Sequence, residues 1–332
     1  MRIAIITDAW HPQVNGLVTT YHNLQRELFN LGNQVLLITP DGFHTFPCPT
    51  YPEIRLVCWP FRQLARRLKE WQPDCVHIAT EGPLGHAARR FCLQQDWRFS
   101  SALHTQFPEY IRLRLPLSLS LGYRYLRWFH QPASVTMVPT ASQQAYLQTW
   151  GFEHVEVCRH GVDIAIFQPS PQCPFTLPTP VMMYMGRVAV EKNIDAFLQL
   201  DLSGSQCVVG DGPDLERLKK TYPKAHFFGY RFYDELAAFL SVADVLVFPS
   251  CTDTFGLVML EAMACGTPVA AYPVKGPLDV VQEGVSGCLR DNLAEAISDA
   301  LLLSPQNCVH YARQHSWQMS AQRFLQLLIT SQ

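Results

Sequence analysis

The chain has few charged residues and no long segment of one chemical character. Charged side chains make up 16% of its 332 residues, and the formal net charge is −2. Lys and Arg form no extended block, so we expect no nucleic-acid partner. No apolar run reaches the roughly 18 residues that a membrane span needs, and the run starting at Ile3 is too short for a signal-peptide core. The sequence therefore predicts neither a nucleic-acid-binding protein nor a membrane-spanning one.

Cysteine chemistry offers no scaffold either. The eleven cysteines are odd in number, scattered and without a C-x-x-C pair. This pattern indicates neither a disulfide framework nor a zinc cage, and it favours a reducing compartment. What the chain does contain is apolar residues, 48% of the total, which is ample core for a folded enzyme. Its length suits two domains of about 150 residues each.

Short apolar runs alternate with helical patterns along the chain. Ile3–Ile6 precedes a helix predicted from Leu17 to Leu31, and Val35–Thr39 follows as the next strand. Repeated βα units of this length predict a parallel sheet with helices on both faces. The remaining predicted strands are Ile54–Cys58, Cys75–Ala79, Ser100–His104, Val135–Val138, Val181–Met185, Cys207–Val209, His226–Phe228, Val245–Phe248 and Val269–Tyr272.

A proline-rich stretch interrupts this alternation. Phe167–Val181 contains five prolines and no periodicity, so neither a helix nor a central strand can pass through it. We place a linker at 169–180, between a first domain at 1–168 and a second at 181–307. The prediction is an α/β protein of two Rossmann-like domains that face each other across a cleft, with ligands bound beyond the carboxyl ends of the strands.

Three strand ends carry residues suited to an anion. Gly16 precedes a helix whose first amides can bind a phosphate, although a plain strand-to-helix turn explains it as well. Arg187 and Lys192 follow the first strand of the second half, where two cations suit a diphosphate or are solvated surface charges. Gly210 and Gly212 permit a tight turn, either against a ligand or within an ordinary βα unit. The G-x-G-x-x-G fingerprint of dinucleotide sites does not occur.

The segment after Val245–Phe248 is the richest in candidate ligand groups. Asp253 and Glu261 are eight residues apart. On a helix this is roughly 12 Å along the axis, comparable to the span from hexose to ribose in a nucleotide sugar. A helix predicted from Phe255 to Ala264 would present to a diphosphate the amides of Thr254, Phe255, Gly256 and Leu257. Alternatively, Asp253 is a helix N-cap and Glu261 a buried packing residue.

Taken together, these motifs resemble the family-four retaining glycosyltransferases of GT-B fold. In that family a Glu-x7-Glu motif, a GR…EK loop and a VGDGP loop recur in this order. The match also includes PQVNG, HTQFPEY, FFGYRFYDEL, ADVLVFPS and EAMACGTPV, so it covers nearly the whole chain. The N-terminal motifs most resemble the branch of GDP-mannose-dependent mannosyltransferases and sulfoquinovosyldiacylglycerol synthases, many with lipid acceptors. The family fold implies that the last segment, 308–332, crosses back to the first domain.

The resemblance implies roles for the matching positions. Gly16, Arg187 and Lys192 would bind the donor diphosphate, and the two cations would stabilise the charge that the leaving group gains. The residues assigned to the base and its surroundings are Phe228, Gly229, Tyr230 and Arg231.

The same resemblance assigns the sugar and ribose contacts. His104 would lie near the donor sugar, although a histidine that closes an apolar strand is also consistent with a satisfied core residue. Asp253 would bind sugar hydroxyls and Glu261 the ribose. Position 253 is Asp where the family more often has Glu, so its carboxylate is one methylene closer to the backbone.

The resemblance also implies transfer without a metal or other cofactor. The acceptor would attack on the face that the leaving group departs from, with the donor's own phosphate helping to deprotonate it. The sequence contains no obvious covalent nucleophile and no Asp-x-Asp pair placed to hold a metal against a diphosphate. The expected partners are a nucleotide sugar and a lipid or glycan acceptor.

A basic and aromatic stretch without acidic residues lies between Tyr110 and Phe152. Such a stretch suits peripheral contact with an anionic membrane or its lipids, and a solvated helix that covers the sheet is the alternative. The candidate contact residues are Arg112, Arg114, Arg124, Arg127 and Trp128.

The sequence thus predicts a retaining hexosyltransferase that takes GDP-mannose or a UDP-hexose and glycosylates a lipid or glycolipid hydroxyl. It would act in the cytoplasm, with peripheral contact to the cytoplasmic face of the membrane as a further expectation. A non-hydrolysing sugar-nucleotide epimerase would need the same two halves but no acceptor. A non-catalytic nucleotide-sugar-binding module would bind the donor without turnover.

Overall fold

The computed structural model describes residues 1–13, 16–48, 54–104, 107–112 and 118–330. The chain forms two compact units. Unit 1 contains Met1–Arg159 together with the segment that begins at Trp317, and unit 2 contains His160–Ser316.

Unit 1 is built on a parallel sheet with helices on both faces. Its elements are β1 (Arg2–Ile6), α1 (Gly16–Asn30), β2 (Gln34–Ile38), β3 (Thr45–Pro47), β4 (Arg55–Val57), α2 (Phe61–Trp71), β5 (Cys75–Ile78), α3 (Pro83–Gln95), β6 (Ser100–Ala102), α4 (Phe107–Arg112), α5 (Leu119–His130), β7 (Thr136–Val138), α6 (Ala141–Thr149), β8 (Val155–Val157) and α14 (Trp317–Thr330). The strand order in the described residues is β2-β1-β5-β6-β7-β8. The strands β3 and β4 form a separate antiparallel pair.

Alternation along β1 divides the core of unit 1 between the two faces of the sheet. Ala4 and Ile6 pack with residues of α2 and α3, whereas Ile3 and Ile5 pack with residues of α1 and α14. Successive side chains of a strand point to opposite faces, so a continuous apolar run is what a strand buried on both sides requires. Phe324 of α14 is 2% exposed in this second cluster, and α14 is therefore part of the core of unit 1.

A carboxylate at the end of β1 caps the start of α3. Asp8 Oδ1 accepts from Leu84 N at 2.8 Å, and Oδ2 accepts from Gly85 N at 3.2 Å and from Thr80 Oγ1 at 2.8 Å. Burial raises the pKa of Asp8 to about 6, and these three donors partly oppose that rise. The contact joins the ends of the neighbouring strands β1 and β5, where the strand order of this sheet reverses.

Unit 2 repeats the same architecture. Its elements are β9 (Val181–Met185), a 3₁₀ turn (Val190–Lys192), α7 (Asp195–Leu198), β10 (Ser205–Val209), α8 (Leu215–Thr221), β11 (His226–Gly229), α9 (Tyr233–Val242), β12 (Val245–Phe248), α10 (Leu257–Ala264), β13 (Val269–Ala271), α11 (Pro277–Val280), β14 (Gly287–Leu289), α12 (Leu293–Ala300) and α13 (Pro305–Arg313). The described strands run in the order β11-β10-β9-β12-β13-β14, and every neighbouring pair is parallel. The prediction of two Rossmann-like halves is confirmed.

The boundaries differ from the predicted ones. The division falls at Arg159, ahead of the predicted end of the first domain at 168, because Val162 and Phe167 are buried in the core of unit 2. The predicted linker 169–180 also lies within unit 2, where Phe175 and Leu177 pack against that core. Proline excluded regular secondary structure there but not packing.

Two further predictions are corrected. The last segment does not belong to unit 1 from residue 308, because α13 packs on α10 in unit 2 and only α14 lies in unit 1. The predicted strand Ile54–Cys58 coincides with β4, which pairs with β3 in the antiparallel ribbon and not in the parallel sheet.

Candidate functional site

The loop after β12 buries polar oxygens for which the described chain supplies no partner. These atoms are Ser250 Oγ, Thr252 Oγ1 and Asp253 Oδ2. A buried polar group without a hydrogen bond costs about 1–3 kcal/mol, so native proteins rarely leave one without a ligand or water to bind it. Three such atoms in one loop make it a candidate binding site for a ligand rich in hydrogen-bonding groups.

Lys192 binds the other oxygen of Asp253. Its Nζ lies 2.5 Å from Asp253 Oδ1, and the two side chains are 21% and 16% exposed. The next residue, Asn193, donates from Nδ2 to the carbonyl of Pro249 at 3.2 Å. These contacts hold the 3₁₀ turn after β9 to the loop after β12, at the point where the strand order of this sheet reverses. Arg187 is half-buried on the same connection, and its carbonyl accepts from Tyr184 Oη at 2.7 Å.

The loop and α10 meet at a glycine. Gly256 is the N-cap at φ 81°, and a Cβ there would stand 2.8 Å from Met259 Cε. Helix α10 therefore begins at Leu257, so the predicted start at Phe255 and the helical rise assumed from Asp253 onward are wrong. The interpretation of Asp253 as an N-cap is also wrong. Phe255 is 5% exposed, and its ring packs edge-on against His160.

The two glycines of VGDGP serve backbone packing between loops. A Cβ on Gly210 would stand 1.9 Å from Gly186 O, and one on Gly212 would stand 2.2 Å from Val188 O. Val188 N also donates to Asp211 O at 2.9 Å. The loop after β10 is thereby fixed to the loop after β9. These contacts account for both glycines without a ligand, as the βα-turn alternative expected.

The carboxylate of Glu261 lowers the stability of the fold when it is charged, because burial disfavours the charged form. It lies on α10, partly buried, and burial raises its pKa to about 7. No hydrogen bond or ion pair to its side chain comes from the described ranges of the chain. Its charge acts on Tyr230. Burial is the largest cause of the raised pKa of Tyr230, and the charges of Glu261 and Asp211 raise it further. The alternative of Glu261 as a hydrogen-bonded packing residue is therefore not supported.

The other residues assigned to the base lie in a different environment. The Phe228 ring stacks on Phe175 with centroids 4.8 Å apart, inside the apolar core. The Arg231 guanidinium lies 5.3 Å from the ring centroid of Phe239. Gly229 is at φ 69°, with open space where a side chain would be. Packing within unit 2 thus accounts for Phe228 and Arg231. Among these residues, Tyr230 is the one whose pKa is raised by the charge of Glu261.

In unit 1, α1 links two candidates. Gly16 is the first residue of α1 and is exposed. Tyr21, on the same helix, has its Oη 2.7 Å from His104 Nε2 and 3.0 Å from His77 Nε2. Thr105 and Gln106, which follow His104 in the HTQFPEY motif, lie outside the described residues, as do Val14 and Asn15 of PQVNG.

The candidate membrane residues are exposed where the structure describes them. On α5, Leu121, Tyr125 and Trp128 are 58%, 43% and 50% exposed, at the i, i+4 and i+7 spacing of one helix face. Arg124 and Arg127 are exposed on the same helix, and the Arg89 guanidinium of α3 lies 4.1 Å over the Trp128 ring. Arg112, at the end of α4, is exposed, and Arg114 lies outside the described ranges. None of the described helices is long and apolar enough to cross a bilayer.

The sequence alone does not single out several of these residues. Ser250 closely follows an apolar strand and ends the ADVLVFPS motif, whereas Thr252 and Asn193 carry no signal beyond their predicted neighbours Asp253 and Lys192. Tyr21 lies within a predicted amphipathic helix, where it is indistinguishable from a core residue. Over the residues the structure describes, no group of three or more His, Cys, Asp or Glu side chains is placed to hold a metal ion.

Two family models match the chain, described as Glycosyltransferase Family 4 over residues 14–166 and as Glycosyl transferases group 1 over 179–304. The GDP-mannose-dependent alpha-mannosyltransferase of Mycobacterium tuberculosis is 29% identical over 319 residues, covering 87% of this chain and 83% of the relative. The alpha-monoglucosyldiacylglycerol synthase of Streptococcus pneumoniae is 25% identical, covering 98% and 83%. The crystal structure of Anabaena Alr3699/HepE in complex with UDP-glucose is similar in fold, with a TM-score of 0.73 at 16% identity, over 99% of this chain and all of that one.

We predict that Glu261→Gln stabilises the protein increasingly as the pH rises. The folded-state pKa of about 7 exceeds the ordinary 4.5. The protonated carboxyl therefore favours the fold fully below pH 4.5, and this contribution is lost as the pH rises through 7. Relative to wild type, the variant should gain about 2 kcal/mol in the free energy of unfolding between pH 5 and 8. Glu70→Gln, at an exposed position on α2, is the control. Melting curves that stay parallel for Glu261→Gln and wild type across this range would contradict the prediction.

Proposed function

The chain belongs to the family-four glycosyltransferases of GT-B fold, and we propose that it transfers a hexosyl group, with retention of configuration, from a nucleoside-diphosphate sugar to a hydroxyl of a lipid or glycolipid. The donor is GDP-mannose or a UDP-hexose. The observation that carries the proposal is the set of unpartnered oxygens of Ser250, Thr252 and Asp253 beside the Lys192 ammonium. A sugar diphosphate offers both the hydroxyl donors and the anion that such a cluster recognises.

Charge development on the leaving group would give cations at this site a role in the reaction. As the glycosidic bond breaks, the diphosphate gains negative charge, and a fixed ammonium stabilises the transition state more than the ground state. Lys192 is fixed because Asp253 binds it at 2.5 Å. Arg187, on the same connection after β9, is the second cation that we assign to the diphosphate. Neither role needs a metal ion, and we propose a metal-independent reaction.

Asp253 and Glu261 would read the hydroxyl groups at the two ends of the donor. Asp253 keeps one oxygen, Oδ2, without a partner in the described chain, and a carboxylate oxygen is the natural acceptor for a sugar hydroxyl. Glu261 has a desolvated carboxylate beside Tyr230, which suits a ribose diol next to a base. His104 would act at the donor sugar, as the family resemblance assigns.

The acceptor proposal draws on the relatives and on α5. The streptococcal relative is named for the synthesis of a glycosyldiacylglycerol. The exposed face of Leu121, Tyr125 and Trp128, flanked by Arg124 and Arg127, combines apolar surface with positive charge. We propose that this face binds an anionic membrane surface from the cytoplasmic side, so that the enzyme meets a lipid acceptor there.

A donor panel tests the reaction. We expect thermal stabilisation by one class of GDP or UDP sugar, and transfer of its hexose to membrane lipid extract with the anomeric configuration retained. Full activity should persist in excess chelator. Conversion of the sugar nucleotide into its epimer without an acceptor would identify an epimerase. Binding of the donor without nucleotide release in the presence of any acceptor would identify a binding module. Strict dependence on magnesium would contradict the metal-independent reaction.

Lys192→Ala should lose turnover and keep its fold. Removing a group that stabilises the leaving diphosphate costs on the order of 100-fold or more in rate. The matched control is Lys219→Ala, which removes an exposed lysine of α8 paired with Glu216. Steady-state kinetics and circular dichroism make the comparison. Near-normal turnover in Lys192→Ala, or an equal loss in both variants, would contradict the assignment of Lys192 to the leaving diphosphate.

Charge reversal on α5 should release the protein from anionic vesicles. We expect the double variant Arg124→Glu and Arg127→Glu to lose most of its co-sedimentation at low salt, where electrostatic attraction is strongest. The control reverses Arg62 and Arg66, which are exposed on α2 in the same unit. If wild type does not bind at low salt, or if both double variants bind equally, α5 is not the contact surface.

A further inference from the structure

We propose that Tyr21 is a positioning residue for His104, and that a buried chain of hydrogen bonds through Tyr21, His77 and Ser100 sets which nitrogen of His104 carries the proton. The inference rests on the proposed function, in which His104 acts at the donor sugar. It adds residues of α1, β5 and β6 that no motif marks.

The chain of contacts is continuous and buried. Ser100 Oγ lies 2.9 Å from His77 Nδ1, His77 Nε2 lies 3.0 Å from Tyr21 Oη, and Tyr21 Oη lies 2.7 Å from His104 Nε2. Ser100, His77 and Tyr21 are 2%, 0% and 1% exposed. The large majority of polar groups buried this deeply have a hydrogen-bond partner, and here each group supplies one to the next.

The contacts of Ser100, at the end of the hydrogen-bond series farthest from His104, determine which group donates in each hydrogen bond. Ser100 Oγ lies 3.4 Å from the carbonyl of Val76, which can only accept, so we assign the single hydroxyl proton of Ser100 to that contact. Ser100 Oγ then accepts from His77 Nδ1. His77 is neutral, since burial lowers its pKa to about 3, and its Nε2 therefore carries a lone pair.

Tyr21 passes this direction of donation on to the candidate site. Tyr21 stays a phenol, because burial raises its pKa well above the ordinary value, and it has one proton to give. That proton goes to His77 Nε2, so the Tyr21 oxygen accepts from His104 Nε2. In the neutral form of His104, the proton then lies on Nε2 and the lone pair on Nδ1. A ring fixed in this tautomer can accept a hydrogen bond from a substrate hydroxyl through Nδ1.

Nitrogen NMR tests the tautomer directly. In protein labelled with ¹⁵N-histidine, two-bond proton–nitrogen correlations distinguish the two neutral tautomers, and the spectrum of His104→Gln assigns the His104 signals by their loss. We expect the Nε2-protonated form in wild type. In Tyr21→Phe, which removes only the hydroxyl, the His104 signals should shift toward a mixture of both tautomers.

Kinetics tests the consequence. Tyr21→Phe should lower turnover about three- to tenfold, the effect of one hydrogen bond, while the affinity for the donor nucleotide changes less than twofold. Tyr311→Phe is the matched control, since it removes a hydroxyl that donates to the Val280 carbonyl at 2.9 Å in unit 2. That variant should leave both the His104 tautomer and turnover unchanged.

The possible outcomes distinguish an error in the hydrogen-bond series through Tyr21 from an error in the role proposed for His104. An Nδ1-protonated His104 in wild type, or an unchanged tautomer in Tyr21→Phe, overturns the inference. A changed tautomer with normal turnover also overturns it. In that case His104→Gln locates the error: lost activity there keeps His104 at the site and removes Tyr21 from the mechanism. Normal activity of His104→Gln instead shows that the function proposed for His104 is wrong.

Discussion

The ion pair between Lys192 and Asp253 is the constraint on which the candidate site of unit 2 depends. Two partly buried charges lose solvation free energy, and a contact at 2.5 Å compensates that cost only if both groups are held in place. The strands β9 and β12 supply the hold, because they are neighbours in the sheet although about 60 residues separate them in the chain. The order of the strands in the sheet thus brings one cation and one anion together, and their ion pair holds both in place.

Contacts with the surrounding loops restrict that position further. The turn that carries Lys192 is tied to the β12 loop through Asn193, and the loop after β10 packs on the loop after β9 without room for a side chain at Gly210. A site that is rigid before its ligand arrives loses little entropy on binding. The same scaffold holds the buried oxygens of Ser250 and Thr252, for which the described residues supply no hydrogen-bond partner.

The sequence predicted the elements better than their limits or their pairings. Val245–Phe248 was predicted to the residue, since a strand buried on both faces is a continuous apolar run. The linker was misplaced because proline reports on backbone hydrogen bonding, whereas Phe167 and Phe175 belong to unit 2 through side-chain packing. Local spacing identified Lys192, Asp253 and Glu261 as candidates. It could not reveal that the first two bind each other, because that contact follows from tertiary structure.

The position of α14 has a consequence for how the protein is made. Phe324 and its neighbours complete one face of the unit 1 core, yet they follow all of unit 2 in the chain. During synthesis, unit 1 leaves the ribosome with the apolar surface of Ile3, Ile5 and Tyr21 incompletely covered, and it stays so while unit 2 is translated and folds. Exposed apolar surface of that kind is what chaperones bind. The native first unit is therefore a product of the whole chain and not of its N-terminal half.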